Sequence, residues 1–544
     1  MNRATAPLTV AQASDLIRAR KLSPVEYVDE LAARIQALDG QLHTFIKPTF
    51  EEARVQARSA EQEIMAGRLR GPLHGIPFGA KDVIETAGIE TTGGSRLCRG
   101  HVPSRDAAVI AAMYRAGAVL MGKLATHEFA HGGPSFDLPW PVVRNPWDLL
   151  RFTGGSSSGS AAAVAAGLLP VTLGTDTGGS VRGPASFCGV AGFMPSTGLV
   201  SRIGVMPNSY TLDHCGPLAW TVEDCAIVLQ ALAGHDPADG NSFEQGAADY
   251  RAALGGGVRG LRVGVLRHAW EEDLPAADEH RHALEEAVET LRRLGARVED
   301  CRVRPMRDYL DVKIVIGESE IFSVHHANLV TRAGDFGQDF LTRILAAVMF
   351  QSYDYLAASR QQRRMMAWMQ PLYERYDVLL APGFGAAGPI AAQRPMNFWL
   401  RANPHVMANV IGAPALALCC GFSAGGLPLG MQFMGPPLSD AAVLRAGHAY
   451  EQATSWRARR PQLEPNRAAP AFETPVITPD PSQADAGTRE LAARLAAGAG
   501  LRLTESQLAI LFEAAPQALA LARRIPRGDD RLDEPPAQVL RLPG

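Results

Sequence analysis

The sequence predicts an α/β protein, and three observations predict it. Residues 260–303 read as strand, helix and strand in succession. Residues 72–220 are dominated by Gly, Ser, Thr and short apolar runs, the composition of buried strands, tight turns and backbone-built sites. Helical periodicity frames both stretches, near the N-terminus and again at 340–375 and 488–525. Strand-like and helix-like periods that alternate in this way indicate a sheet covered by helices.

In chain order, Ser23-Pro24 supplies an N-cap with Pro at the first helical position. Val28, Leu31, Ile35 and Leu38 then recur at helical spacing. A second helix is expected over 51–67. In the 260–303 unit the first strand is Leu261–Leu266, the helix 277–293, the stop Gly295 and the second strand 296–303. Such a crossover is expected to be right-handed. Val378–Leu380 and Ala415–Cys420 read as buried strands. Residues 464–486 hold five prolines and little periodicity, which predicts a linker or surface strap. Thr504 with Gln507 forms a capping-box pattern at the start of an Ala/Leu-rich helical tail. The expected organisation is a body over 1–465, a Pro-rich linker over 466–486 and a small helical module over 487–544.

Composition excludes several classes of function. The 544 residues are 47% hydrophobic with a net charge of −3, so no basic face for direct nucleic-acid binding is expected. The N-terminus has no apolar signal region, and no run approaches the length of a membrane span, so no membrane association is expected. Seven cysteines without CxxC spacing fit reduced thiols in a cytoplasmic protein. Cys419 and Cys420 sit in an apolar run and are expected in the core.

Three segments carry chemistry. Gly75-Ile-Pro-Phe-Gly-Ala-Lys81-Asp82 is the first, Gly154-Gly155-Ser156-Ser157-Ser158-Gly159-Ser160 the second, and Gly174-Thr175-Asp176-Thr177-Gly178-Gly179-Ser180-Val-Arg182 the third. Taken singly, each has an ordinary explanation: a surface ion pair, a loop packed at a helix start, a simple turn. In the third, two glycines before a serine also let backbone approach a substrate closely, and successive N–H groups there can converge on an oxyanion.

Taken together, the three segments and the run 188–226 (CGVAGFMPSTGLVSRIGVMPNSYTLDHCGPLAWTVEDCA) resemble the amidase signature family over roughly residues 10–460. The resemblance implies an α/β/α sandwich around a mixed, many-stranded sheet with a helical C-terminal appendage. By position, Ser180 matches the family's nucleophile, Ser156 a serine after a cis peptide, and Lys81 the base. The N–H groups of Thr177, Gly178, Gly179 and Ser180 match its oxyanion hole. Thr175, Asp176 and Arg182, with Ser157, match positions that brace the site or touch substrate. A serine hydroxyl needs a base, and lysine serves only when neutral, so Lys81 is expected to be desolvated. The sequence departs from the family at Met194, where lysine is usual, and at Asp377–Phe384, where the familiar Pro-Thr run is altered.

The implied reaction is hydrolysis of an amide, or of a urea-, biuret- or carbamate-like bond, in a small-molecule substrate. No metal or organic cofactor is expected, and a homodimer is compatible with the sequence. An alternative is the glutaminase (A-type) component of a tRNA-dependent amidotransferase, although residues 397–409 carry no carboxylate. A scaffold with a retired site is a non-enzymatic alternative, opposed by the complete Lys81, Ser156 and Ser180 set. Two decoys compete. His127-Glu-Phe-Ala-His131 is a formal HExxH zinc motif, but Gly132-Gly133-Pro134 would end the helix it needs. Gly155–Gly159 fits GxSxG around Ser157 without a convincing buried strand before it. The tail, with its acidic end Asp529-Asp530 to Pro535-Pro536, resembles the small C-type component of the tRNA-dependent amidotransferase and the related small partner of carboxybiuret-type hydrolases. A dimerisation or capping element explains it equally.

Overall fold

Local sequence signals set the ends of the helices at both ends of the chain. The computed structural model describes residues 7–244 and 248–527, so the acidic end at 529–536 lies outside the described residues. Ser23 Oγ accepts from Val25 N–H at 3.0 Å and Glu26 N–H at 3.3 Å, and Glu26 answers at Ser23 N–H, capping helix Pro24–Leu42. Val28, Leu31, Ile35 and Leu38 line its buried face as expected. Thr504 and Gln507 make the same reciprocal cap before helix Glu505–Arg524. The helix expected at 51–67 spans Phe50–Met65.

Among the described residues, eleven strands form one mixed sheet. In chain order they are β1 Phe45–Pro48, β2 Pro77–Lys81, β3 Val119–Leu124, β4 Val171–Asp176, β5 Ala191–Met194, β6 His214–Ala219, β7 Arg262–Val265, β8 Arg297–Asp300, β9 Val378–Pro382, β10 Ala415–Phe422 and β11 Pro428–Met434. Their order across the sheet is β1-β3-β2-β4-β6-β5-β10-β11-β9-β7-β8. The strand pairs β2/β3, β2/β4, β7/β8 and β7/β9 are parallel and the others antiparallel. The predicted strand–helix–strand unit is present as β7, helix Asp278–Arg293 and β8, with Gly295 in the left-handed region at φ +89°. Both strands are shorter than predicted; β8 is an edge strand with little buried surface.

Alternation along the central strands separates two cores. In β10, Leu416, Leu418 and Cys420 join the core that holds helices Pro24–Leu42, Val222–Leu232 and Asp440–Gln452. Ala415 points to the opposite face, where helix Met306–Arg332 packs. In β9, Val378 and Leu380 go one way, Leu379 and Ala381 the other. A period of two on strands covered on both faces is the reason these runs are almost wholly apolar. Cys419 and Cys420 are buried, and all seven cysteines are free thiols.

The stretch 340–375 is not the single helix predicted. It comprises helix Gln338–Ile344, a 3-10 turn Leu345–Met349 and helix Ser352–Arg375, which restarts at a Gln351–Asp354 cap. No Gly or Pro marks the break. The turn is buried between the tail and helix Met306–Arg332, so tertiary packing overrides local propensity there. Met349 lies in that core, while Tyr353 is exposed.

The tail packs into the body. Helices Ala486–Gly498 and Glu505–Arg524 bury Ala492, Ala496, Leu511, Ala514 and Leu521 in the same cluster as Ile314, Ile344 and Leu345. Arg524 forks onto Asp311 at 2.6 and 2.8 Å, and Arg527 pairs with Asp354. The Pro-rich stretch crosses the surface in extended form. Its Phe472 ring meets Phe136 and the Arg144 guanidinium, and Ile477 O accepts from Gln338 Nε2 at 2.7 Å. Leu511→Ala opens a cavity at a wholly buried position and is expected to cost about 2–5 kcal/mol in urea unfolding of the full chain. An unchanged midpoint would place the tail outside the shared core.

Candidate active site

The carboxyl ends of two adjacent parallel strands bring the first residues together. Phe78, Gly79 and Ala80 of β2 pair with Val171, Thr172 and Leu173 of β4, so Lys81 and Thr175 leave the sheet side by side. Lys81 Nζ lies 2.7 Å from Ser156 Oγ and 2.7 Å from Thr175 Oγ1. Lys81 has no exposed surface. Burial brings its amine down from 10.5 to about 7, against the opposing pull of the Asp176 and Asp213 carboxylates. Ser156 follows a cis Gly155–Ser156 peptide. Gly155 is required there because a Cβ would overlap the His127 imidazole.

A second loop closes over this pair. Ser157 N–H donates to Ser180 O at 3.2 Å, which ties the 154–160 loop to the 177–180 loop. Ser157 Oγ donates to Thr175 O at 3.2 Å and accepts from Thr175 N–H at 3.3 Å, stitching the same loop to β4. Ser180 itself is half-buried, unlike the wholly enclosed Lys81.

Asp176 and Arg182 form the brace. Neither side chain is exposed, and Arg182 Nη2 and Nε lie 3.0 and 3.1 Å from the Asp176 carboxylate. Arg182 also donates to His405 O at 2.8 Å, Gln432 Oε1 at 3.0 Å and Asn409 Oδ1 at 2.7 Å. Burial pushes the Asp176 carboxyl up. The Arg182 guanidinium, with hydrogen bonds from Arg182, Asn409 and Gly179 N–H, more than offsets this and holds it well below the usual carboxylate range. Gly179 N–H, expected at the oxyanion hole, therefore points elsewhere: it donates to Asp176 Oδ1 at 2.7 Å. Gly179 sits at φ +111°, and a Cβ there would come 2.6 Å from His405 Cβ. Thr177 Oγ1 donates to Asp213 Oδ1 at 2.6 Å, and Asn403 Nδ2 to Gly178 O at 2.9 Å.

Sequence reasoning misses Asn403, His405, Asn409 and Gln432, which reach the site from segments more than two hundred residues downstream. Residues 397–409 draw attention there only for their lack of a carboxylate, whereas the signal lies in their amides. Met194, standing where the family usually has lysine, is buried, and its sulfur accepts from Asn409 Nδ2 at 3.2 Å. The position thus supports the brace through a thioether and not through a charge.

The HExxH segment lacks the helix a zinc site of that kind needs. Phe129 and Ala130 have φ of +48° and +59°, so the two histidines do not share a helical face. His127 Nδ1 faces Gly132 O at 2.7 Å and His131 Nε2 faces Glu318 at 3.1 Å. Burial holds His127 down at about 4, so its imidazole is neutral at neutral pH. The GxSxG reading also fails locally, since loop and not strand precedes Ser157.

Removing one partner of the buried pair leaves the other charge uncompensated. Arg182→Met is expected to cost about 3–5 kcal/mol of stability. Arg182→Met combined with Asp176→Asn should lose less than the two single losses together in a thermal-unfolding cycle. Strict additivity would mean that the ion pair is not what holds these loops.

A profile of the family described as Amidase matches residues 26–444. The A-type component of the glutamyl-tRNA(Gln) amidotransferase of Chloroflexus aurantiacus is 38% identical over 486 residues, covering 84% of this chain and 98% of that protein. The native peptide amidase of Stenotrophomonas maltophilia has a similar structure, with TM-score 0.74 and 33% identity over 84% of this chain and 99% of its own. The 6-aminohexanoate cyclic dimer hydrolase gives TM-score 0.76 at 28% identity, over 84% of this chain and 98% of its own. With the family's profile running through most of its length and its fold shared with the peptide amidase, the chain belongs to the amidase family and is an amidase.

Proposed function

We propose that this amidase hydrolyses a small-molecule amide, or a urea-, biuret- or carbamate-like relative, through an acyl-enzyme on Ser180. The observation that carries the reading is the 2.7 Å contact of a wholly buried Lys81 amine, at about 7, with Ser156 Oγ. At neutral pH a substantial share of that amine is unprotonated and can act as a base.

In the proposed reaction Ser180 Oγ attacks the carbonyl carbon while its proton passes through Ser156 Oγ to Lys81 Nζ. The developing oxyanion is met by the N–H groups of Thr177, Gly178 and Ser180, since Gly179 N–H already serves Asp176. The carbon–nitrogen bond breaks as the leaving nitrogen takes the proton back along the same relay. Water then adds to the ester by the same path, releases the acid and restores Ser180. Asp176, Arg182, Thr175 and Ser157 hold the two loops in register and take no proton.

Within this reading, residues 1–465 form the catalytic body, 466–486 the strap and the helices after it a cap that resembles a fused small partner chain. The protein acts in the cytoplasm, and a homodimer is compatible. Among the described residues no helix is long and apolar enough to cross a membrane.

A second reading is favoured by the relatives named as A-type components of glutamyl-tRNA(Gln) amidotransferase: a glutaminase that serves a partner. The segment 397–409 counters it, because it meets the site with Asn403, His405 and Asn409 and no acid.

Intact mass after treatment with an alkyl fluorophosphonate tests the mechanism. One adduct is expected, absent in Ser180→Ala, and hydrolysis of a chromogenic anilide should survive a zinc chelator. An adduct that persists in Ser180→Ala, or activity lost to the chelator, would overturn the proposal.

Labelling needs neutral Lys81, so its rate should rise with pH through about 7 and level off above. The same group makes stability rise with pH between about 7 and 10.5, where the unfolded chain binds the proton and the folded chain does not. A labelling rate flat from pH 5.5 to 9 would exclude Lys81 as the base.

A further inference from the structure

Beside the 177–180 loop stands a lysine that the proposed reaction does not use. Lys313 lies on helix Met306–Arg332, with 7% of its side chain exposed. A Cβ on Gly178 would lie 3.2 Å from Lys313 Cε, so the lysine stem packs against the loop proposed to hold the oxyanion. Its ammonium sits 5.2 Å from the centroid of the Phe398 ring, and the Arg343 guanidinium 4.7 Å from the same ring. Gly178, Ser180 and Phe398 are half-buried, unlike the enclosed residues behind them.

Burial lowers the Lys313 amine while the Glu318 and Asp213 carboxyls pull it back up, and its contact with Glu318 is long. Glu318 Oε1 is 3.5 Å from Lys313 Nζ, longer than the roughly 2.7–2.9 Å of a charge-assisted hydrogen bond. Neither oxygen of the wholly buried Glu318 has a well-formed hydrogen bond among the described residues. Burial pushes the Glu318 carboxyl up, but His131, Lys313 and Arg343 hold it below the usual range, so it stays ionised. Arg343 is paired with Asp339 at 3.0 Å. Lys313 and Arg343 thus already face the acidic side chains of Glu318, Asp339 and Asp213. A ligand carboxylate would add a further negative charge beside these acidic groups in a poorly solvated corner. A neutral carbonyl oxygen can accept from the Lys313 Nζ donors that the long Glu318 contact leaves available, without adding charge.

We propose that Lys313 is a substrate-binding residue whose ammonium donates to a second, uncharged carbonyl oxygen on the substrate's acyl chain. The enzyme's substrates are then diamide- or acylurea-like. The inference rests on Ser180 being the nucleophile. Lys313 packs at Gly178, two residues before Ser180, so the second carbonyl is expected close to the scissile one.

The test uses three 4-nitroanilides of equal acyl length, ending in a carboxamide, an ethyl group of similar size or a carboxylate. In the wild type, kcat/KM is expected to favour the carboxamide over the ethyl ending by at least about tenfold, as a hydrogen bond to a charged donor provides. The carboxylate should also lose to the carboxamide. Lys313→Met should bring the carboxamide-to-ethyl ratio close to one, and Lys313→Arg should restore part of it. Because the readout is a ratio within each protein, a general loss of fold or activity cancels. If Lys313→Met does not fold, the wild-type ratios decide. Wild-type ratios near one, a preferred carboxylate, or a ratio unchanged in Lys313→Met would overturn the inference. Absence of a fluorophosphonate adduct on Ser180 would instead overturn the reading beneath it.

Discussion

An amine with no exposed surface, held 2.7 Å from each of two hydroxyls, is the constraint on which the rest of this structure depends. Keeping an amine dry requires that everything around it be placed by backbone and by groups already paired with one another. Two parallel strands supply the rigid floor, since β2 ends in Lys81 and β4 in Thr175-Asp176. Ligand sites of open α/β sheets form at such carboxyl ends, where loops diverge above a fixed edge. The glycines near the site follow from the same demand. At Gly155 and Gly179 a side chain would collide with His127 and His405, which pack directly against the two loops.

The Asp176–Arg182 pair is the second consequence. A buried ion pair seldom adds net stability over well-packed apolar groups, but it fixes geometry once every remaining donor is used. Arg182 spends its donors on Asp176, His405 O, Gln432 and Asn409, which join β4, β11 and the 403–409 segment at one point. Gln432 Nε2 continues to Pro382 O and Pro404 O at 3.0 and 2.7 Å. The loop carrying Ser180 is thereby anchored to both β4 and β11, while its Gly178 and Ser180 positions stay half-buried.

The tail contributes packing to this arrangement. Its helices share a core with helix Met306–Arg332, the same helix that carries Lys313 and Glu318 to the edge of the 177–180 loop. Arg524 on Asp311 and the buried Leu511 therefore bear on the wall of the site at a distance, through one rigid helix.

The sequence alone determined the family, the α/β class, the capped helices beginning at Pro24 and Glu505, and the segments that converge on Lys81. Caps, glycine runs and apolar periods are local, so they can be read along the chain. It also indicated that His127–His131 is no zinc helix, because three residues that end helices follow at once. Tertiary structure alone decided the break at Leu345–Met349, the commitment of Gly179 N–H to Asp176 and the convergence of Asn403, His405, Asn409 and Gln432. It alone set Lys313 against Gly178. Those features depend on contacts between residues far apart in sequence. No local pattern records which donor a buried carboxylate will take, or which distant amide will fill its remaining lone pairs.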